Sequence, residues 1–199
     1  MNVPFGSLVP PCDEFESSRF PGMGQMAKVS LRPVRDEDVS LFEAEISTPE
    51  GAGEHAWFGY RSFNGMRTKI AEEGLLGPDL GGLTVEADGS VAGWVTWLKH
   101  YWGPEITSWS WSIGITIFAA FRGRGIGTET QIQLTEYLFL HTRAERIQAF
   151  TDADNRAEQR ALEKAGFQRE GVIRNAQWRM GGWHDQWLYS ILRENFNDK

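Results

Sequence analysis

Apolar and polar positions alternate every second residue in several short runs, and between these runs apolar residues recur every three to four, so strands and helices are interleaved along the chain. Val29-Ser30-Leu31-Arg32 alternates as a strand does, and Pro33 ends it. The acidic start Asp36-Glu37-Asp38, followed by Val39, Leu41, Phe42 and Ile46, predicts an amphipathic helix with negative charge at its N-terminus. Residues 48–80 are broken by glycines and predict one short helix, about Gly65 to Glu73. Their aromatic cluster, Trp57, Phe58, Tyr60 and Phe63, reads equally as a substrate-facing lid or as a loop docked on the core. Leu83–Ala87 and Val91–Leu98 flank Asp88-Gly89, a strong hairpin signal. A third strand follows from about Thr107 to Phe118. It carries Trp109, Trp111, Ile113, Ile115 and Ile117 on one face and Ser108, Ser110, Ser112 and Gly114 on the other.

The next helix places Ile126, Thr130, Leu134, Leu138 and His141 on one packed face. Arg146–Phe150 reads as a strand. Asp154 or Asn155 caps a helix whose expected buried side is Ala157, Ala161, Leu162 and Ala165, and Gly166 ends it. Two more strands, about Gln168–Arg179 and Trp187–Arg193, are joined through Gly181-Gly182. Residues 1–27 lack periodicity and are expected to form an arm or tail, with Met23 and Met26 as alternative starts, ahead of one domain over 28–199.

Between the third strand and its helix lies Arg122-Gly123-Arg124-Gly125-Ile126-Gly127-Thr128. Glycines permit a tight turn with inward N–H groups, and a helix N-terminus adds about half a positive charge, so this stretch suits a phosphate. Arg122 and Arg124 add forked donors. No lysine-serine pair closes the loop, and the glycine spacing is not that of dinucleotide folds. A plain glycine-rich connection is the alternative.

Bulk composition narrows the partners. Hydrophobic content of 41% and charged content of 24% are ordinary for a globular protein, whereas nine tryptophans are many. Net charge of −7 argues against a general nucleic-acid binder. From Arg122 to Arg179 there are ten basic and eight acidic residues, hence +2, which leaves −9 elsewhere. A phosphate-rich ligand suits the first region and a cationic substrate the second. No apolar run is long enough for a membrane span, and no signal-peptide pattern is present. The lone Cys12 excludes an intramolecular disulfide, so a reducing, cytoplasmic setting is expected. The four histidines lack metal-ligand spacing, and no metal is expected.

The element order resembles the GNAT superfamily of acyl-CoA-dependent N-acyltransferases. Its R/Q-x-x-G-x-G/A motif is met by Arg122 through Gly127. Its asparagine-to-glycine segment resembles Asn155-Arg156-Ala157 followed by Leu162 through Phe167. The opening Leu31-Arg32-Pro33 and the ending Trp187 through Glu194 are similar to the RimJ/RimL-like branch. The resemblance implies an α+β fold with a twisted, mostly antiparallel sheet of six to seven strands, splayed in the middle and flanked by helices. It also implies acetyl-CoA as donor and a primary amine as acceptor: a small amine, an antibiotic, a polyamine or a protein N-terminus. Gly123, Arg124, Gly125, Ile126, Gly127 and Thr128 with Arg122 would hold the diphosphate, and backbone near Ile115 and Ile117 the pantetheine. Asn155 would touch the same arm or only cap its helix. Homodimers are common in this branch.

An attacking amine must be neutral, which at pH 7.4 costs roughly 4 kcal/mol for a lysine-like amine but well under 1 kcal/mol for an α-amine. The family often places a glutamate before the glycine loop and a serine or tyrosine after the asparagine; this chain has Ser112 and, at the later positions, Glu158 and Leu162. Ser112 is a candidate to position a water and Glu158 to act at sulfur. Glu86, Glu105 and Asp152 are further carboxylates that could reach the site. The expected mechanism is direct attack, accelerated mainly by proximity. Trp94, Trp97, Trp109 and Trp111 are candidate walls for the acceptor, core packing being the alternative. Two other classes remain open at this point: a catalytically impaired CoA-binding regulatory module, and a scaffold whose loop binds nothing.

Overall fold

The computed structural model describes residues 27–197, so the expected arm, with Cys12, Met23 and Met26, lies outside the described residues except for residue 27. Seven strands form one sheet: β1 (Val29–Pro33), β2 (Leu80–Ala87), β3 (Ser90–Tyr101), β4 (Trp109–Ile117), β5 (Arg146–Asp152), β6 (Gln168–Arg179) and β7 (Gly182–Leu192). Their spatial order is β1-β2-β3-β4-β5-β7-β6. Only the β4–β5 pair is parallel. Six α-helices complete the described chain: α1 (Asp36–Ile46), α2 (Pro49–Ala52), α3 (Asn64–Glu73), α4 (Ile126–His141), α5 (Arg156–Ala165) and α6 (Arg193–Asn197). The fold is α+β, as the resemblance implies.

Helices cover both faces. α4 and α5 bury Ile126, Leu134, Leu138, Leu162 and Ala165 with Val85, Val95, Ile113, Ile147 and Tyr189 of the sheet. On the other face, Val39, Phe42 and Ile46 of α1 pack with Phe63, Trp94 and Phe118. An ionic joint ties α1 to the sheet. The buried Asp38 carboxylate accepts two bonds from Arg32 (2.6 and 2.9 Å), one from Thr84 Oγ1 (2.8 Å) and one from the Arg35 N–H (2.9 Å).

Three details depart from the sequence expectation. β2 begins at Leu80, through Gly81 and Gly82, because the Trp97 ring lies over Gly81: a Cβ there would stand 2.1 Å from Trp97 Cζ2. Here glycine marks close packing rather than a loop. Thr48 caps, and Pro49 starts, the short α2, which the glycine-broken pattern concealed. β7 starts at Gly182 rather than Trp187, since Met180 and Gly181, both at positive φ, make a tight turn.

The strand pair at the centre of the sheet creates the cleft. β4 and β5 pair only at Trp111–Ile147, Ser112–Gln148 and Ile113–Ala149. Beyond that they diverge, since the end of β4 stays paired with β3 (Ile117–Gly93) and the end of β5 with β7 (Asp152–Gln186). Each strand satisfies one edge elsewhere, leaving facing edges open.

Candidate active site

A cleft of about 580 Å³ opens where the two strands part. One wall is β4 and its glycine loop: Ile115, Thr116, Ile117, Gly123, Gly125, Gly127 and Thr128. The opposite wall is α5: Asn155, Ala157, Glu158, Arg160, Ala161 and Lys164. Residues Ala52 through Ala56, at and after the end of α2, with Phe121 and Arg122 ahead of the loop, complete the lining.

The backbone of β4 supplies the polar edge. Phe118 N–H bonds to Ala92 O of β3, so alternate residues facing that strand are Phe118 and Thr116, and Ile115 and Ile117 turn their N–H and C=O groups toward the open side. Both side chains still pack partly against the core.

The loop is an open cradle. Gly123 and Gly125 sit at φ 74° and 80°, where L side chains are strained, and added Cβ atoms on them would meet nothing within 4 Å. The nearest atom to a Cβ on Gly127 would be Ile117 Cγ1, at 3.9 Å. The first regular bond of α4 runs from Glu129 N–H to Gly125 O, so the amides of Ile126, Gly127 and Thr128 have no carbonyl four residues back. The Ile126 side chain is core, and only its backbone belongs to the cradle.

The two expected arginines part company: Arg122 lines the cleft with its guanidinium engaged by carbonyls, and Arg124 does not line it. Arg122 Nε donates to Ile117 O (2.8 Å), and its Nη2 donates to Gly51 O and Ala52 O. It is a staple that fastens the loop to α2. Its guanidinium lies over Gly53, whose φ of 84° favours glycine and on which an added Cβ would stand a tight 3.2 Å from Arg122 Nη1. Arg124 lies outside the cleft lining; it pairs with Asp88 (3.1 Å) and stacks on Phe121. Besides Arg122, the cationic groups that line the cleft are Arg160 and Lys164, neither with a side-chain partner among the described residues. Sequence reading missed them because Ala157 and Ala161 were assigned to the buried side. Ala157 is exposed, and Ala157, Arg160, Ala161 and Lys164 form one helix stripe facing the cleft. Two small and two basic residues at that spacing are the missed signal.

Asn155 lines the cleft and also caps α5, its Oδ1 accepting the Glu158 N–H (3.1 Å). Burial raises the Glu158 carboxyl, a bond from Gln131 Nε2 (2.6 Å) offsets part of that, and the result is about 7. Near neutrality such a group exists in both protonation states, as a proton donor or acceptor requires. Ser112 stands in the closed part of the β4–β5 pair, not in the cleft lining. The four tryptophans do not line the cleft either. Trp94 stacks on Phe42 at 4.7 Å, Trp97 packs by Tyr137, and Trp109 lies edge-on to Trp111, whose Nε1 donates to Thr142. Glu86 is taken by Arg32, and Glu105 accepts a bond from Tyr101. Asp152 ends β5 at the splay.

The model of the acetyltransferase (GNAT) domain family matches residues 28–168. The sheet continues past that match through β6 and β7. The SPbeta prophage-derived uncharacterized N-acetyltransferase YokL of Bacillus subtilis is 23% identical over 168 residues, covering 84% of this chain and 92% of that protein. Among solved structures, the spermidine N-acetyltransferase from Vibrio cholerae in complex with CoA and spermine is similar at a TM-score of 0.71 and 18% identity, over 85% of this chain and 98% of that one. Mycobacterium smegmatis RimJ in complex with CoA-disulfide is similar at a TM-score of 0.69 and 23% identity, over 83% and 82%. No helix among the described residues is long and apolar enough to cross a membrane.

Proposed function

Because the chain belongs to the GNAT acetyltransferase family, we propose that it moves an acetyl group from acetyl-CoA to a cationic primary amine. The wedge between β4 and β5, with a glycine cradle on one wall and basic residues on the other, carries this reading. A diphosphate needs several donors at close approach, and the amides of Ile126, Gly127 and Thr128 have both the free N–H groups and the space. Arg160 and Lys164 are the cations free to meet its charge, beside Arg122, which lines the cleft but is bonded to backbone carbonyls. The open edge at Ile115 and the Ile117 N–H, the Ile117 carbonyl being bonded by Arg122, suits an extended amide-bearing arm, which it would bond as an added strand does. Asn155 lines the same cleft with its oxygen already engaged as a cap, which leaves Nδ2 as its donor toward that arm.

Bound there, acetyl-CoA supplies an activated thioester carbonyl. The cleft holds acceptor and acyl group together, and this proximity supplies most of the acceleration. Glu158 holds a proton near neutrality on the wall facing β4 and gives it to the leaving sulfur. The RimJ/RimL-like reading rests on the opening and closing motifs together with the structural likeness to RimJ. Thiol release from acetyl-CoA in the presence of spermidine, spermine and short peptides with free N-termini tests the proposal. Amine-dependent release with a product heavier by one acetyl group is expected; release that ignores every amine contradicts it.

A further inference from the structure

The cleft contains a second polar group that the coenzyme reading leaves unused. His55 lines the cleft, its ring set between two carboxylates: Nε2 is 3.0 Å from Glu54 Oε1, and Nδ1 is 3.7 Å from Asp152 Oδ1. The Glu54 side chain is 82% exposed and the Asp152 side chain 2%. Asp152 is held from behind: Oδ1 accepts the Asp154 N–H (2.8 Å), and Oδ2 accepts Arg179 Nη2 (2.5 Å). His184 Nδ1 stands 3.3 Å from that Arg179 nitrogen and 3.8 Å from Asp152 Oδ2. Arg179 Nη1 in turn donates to the Glu54 carbonyl, fastening the segment that carries His55 to β6. His55 Nδ1 is buried and has no hydrogen-bond partner among the described residues.

We infer that His55 is a catalytic base toward the acceptor amine and that Asp152, fixed by Arg179, positions its ring. The inference rests on the acetyl-transfer reading above. Glu54, 3.0 Å from Nε2, favours the ring proton there, and Asp152, 3.7 Å from Nδ1, favours it on Nδ1; an ammonium that pairs with the exposed Glu54 shifts the balance to the Nδ1–H tautomer and frees the Nε2 lone pair. A closure of about 0.5–1 Å brings Nδ1 within bonding reach of Asp152. Glu54, exposed beside Nε2, attracts the incoming ammonium and stabilises the proton once it has moved. Ammonium gives one proton to His55 Nε2 and regains its lone pair. That lone pair forms the bond to the acetyl carbon while the carbon–sulfur bond breaks. Sulfur leaves with the electron pair and takes the proton from Glu158; the second nitrogen proton reprotonates Glu158, and His55 returns its proton to water.

The test uses full-length protein, acetyl-CoA and spermidine. At about pH 7, His55→Gln is expected to lower kcat by about 10²–10³-fold with the KM for acetyl-CoA unchanged. The deficit narrows toward about pH 9.5, where about a tenth of a lysine-like amine is already neutral without a base. His55→Ala is partly rescued by added imidazole. Without any acetyl-CoA, the His55 ring nitrogens in an NMR spectrum are expected to move toward the Nδ1–H tautomer on adding spermidine. If the wild type transfers acetyl and His55→Gln keeps more than about a third of kcat, or loses the same factor at both pH values, this inference fails alone. Absence of amine-dependent transfer by the wild type overturns the parent reading and this inference together.

Discussion

Replacing Glu158 by glutamine isolates the cost of burying a carboxyl beside α4. Its pKa stands at about 7 against an ordinary value of 4.5, a gap that corresponds to about 3 kcal/mol between the ionised and neutral forms. Because the folded pKa is raised, the stabilising contribution is complete below about pH 4.5. It is lost as the pH climbs and is gone once the pH passes about 7. The substituted amide never ionises and can still accept the Gln131 Nε2 bond; it also offers donors to Gln131 Oε1, which is buried without a partner among the described residues. Urea unfolding of both proteins at about pH 4.5 and pH 8 reads the difference. Relative to the variant, the wild type should lose about 3 kcal/mol between the two conditions, equivalent to roughly 6–12 °C in melting midpoint for a chain of this size. A difference that stays constant within about 0.5 kcal/mol would show that Glu158 titrates as a solvated group, and its role as a proton store would fall with it.

Other outcomes follow from the same geometry. Glu158→Gln should lower kcat about 10²-fold at neutral pH while leaving acetyl-CoA affinity within a few-fold; unchanged kcat argues for a proton from water. Arg160→Ala with Lys164→Ala should weaken acetyl-CoA binding about 10–100-fold and flatten its salt dependence in calorimetry, whereas Arg124→Ala should do neither. Asp38→Asn leaves the partly buried Arg32 with Glu86 as its remaining carboxylate and should cost about 1.5–3 kcal/mol in urea unfolding. Burial alone would raise Asp38, but the bonds from Arg32, the Arg35 amide and Thr84 hold it at about 2. That contribution, about 2 kcal/mol, is present above about pH 4 and lost as pH falls through about 2, so acid unfolding of the wild type should show it and Asp38→Asn should not.

Much of the fold was legible because hairpin, helix and strand signals are local. Asp88-Gly89 takes the positive φ pair its residues favour, and the 83–98 hairpin follows. The packed face of α4 held at Ile126, Thr130, Leu134 and Leu138 and failed at His141, the last residue of the helix, which is exposed and leans on Tyr137. What local signals cannot carry is the assignment of partners. Arg122 and Arg124 have the chemistry for phosphate, yet carbonyls about 70 residues away and Asp88 claim them. The alanines of α5 read as core because small size suits both a packed interior and the wall of a cleft. His55 gave no sequence signal at all, since Asp152 and Arg179 meet it only through the sheet.

The central claim is that amides at the start of α4 hold the diphosphate of acetyl-CoA, and isothermal calorimetry with Gly125→Asp/Gly127→Asp tests it most directly. Each added carboxylate would project from the cradle at the charge it must receive, so binding measured for the wild type should be lost in the variant, while strain at Gly125 of about 1–2 kcal/mol lowers its melting midpoint by only a few degrees. Acetyl-CoA bound as tightly by the variant as by the wild type would contradict the account.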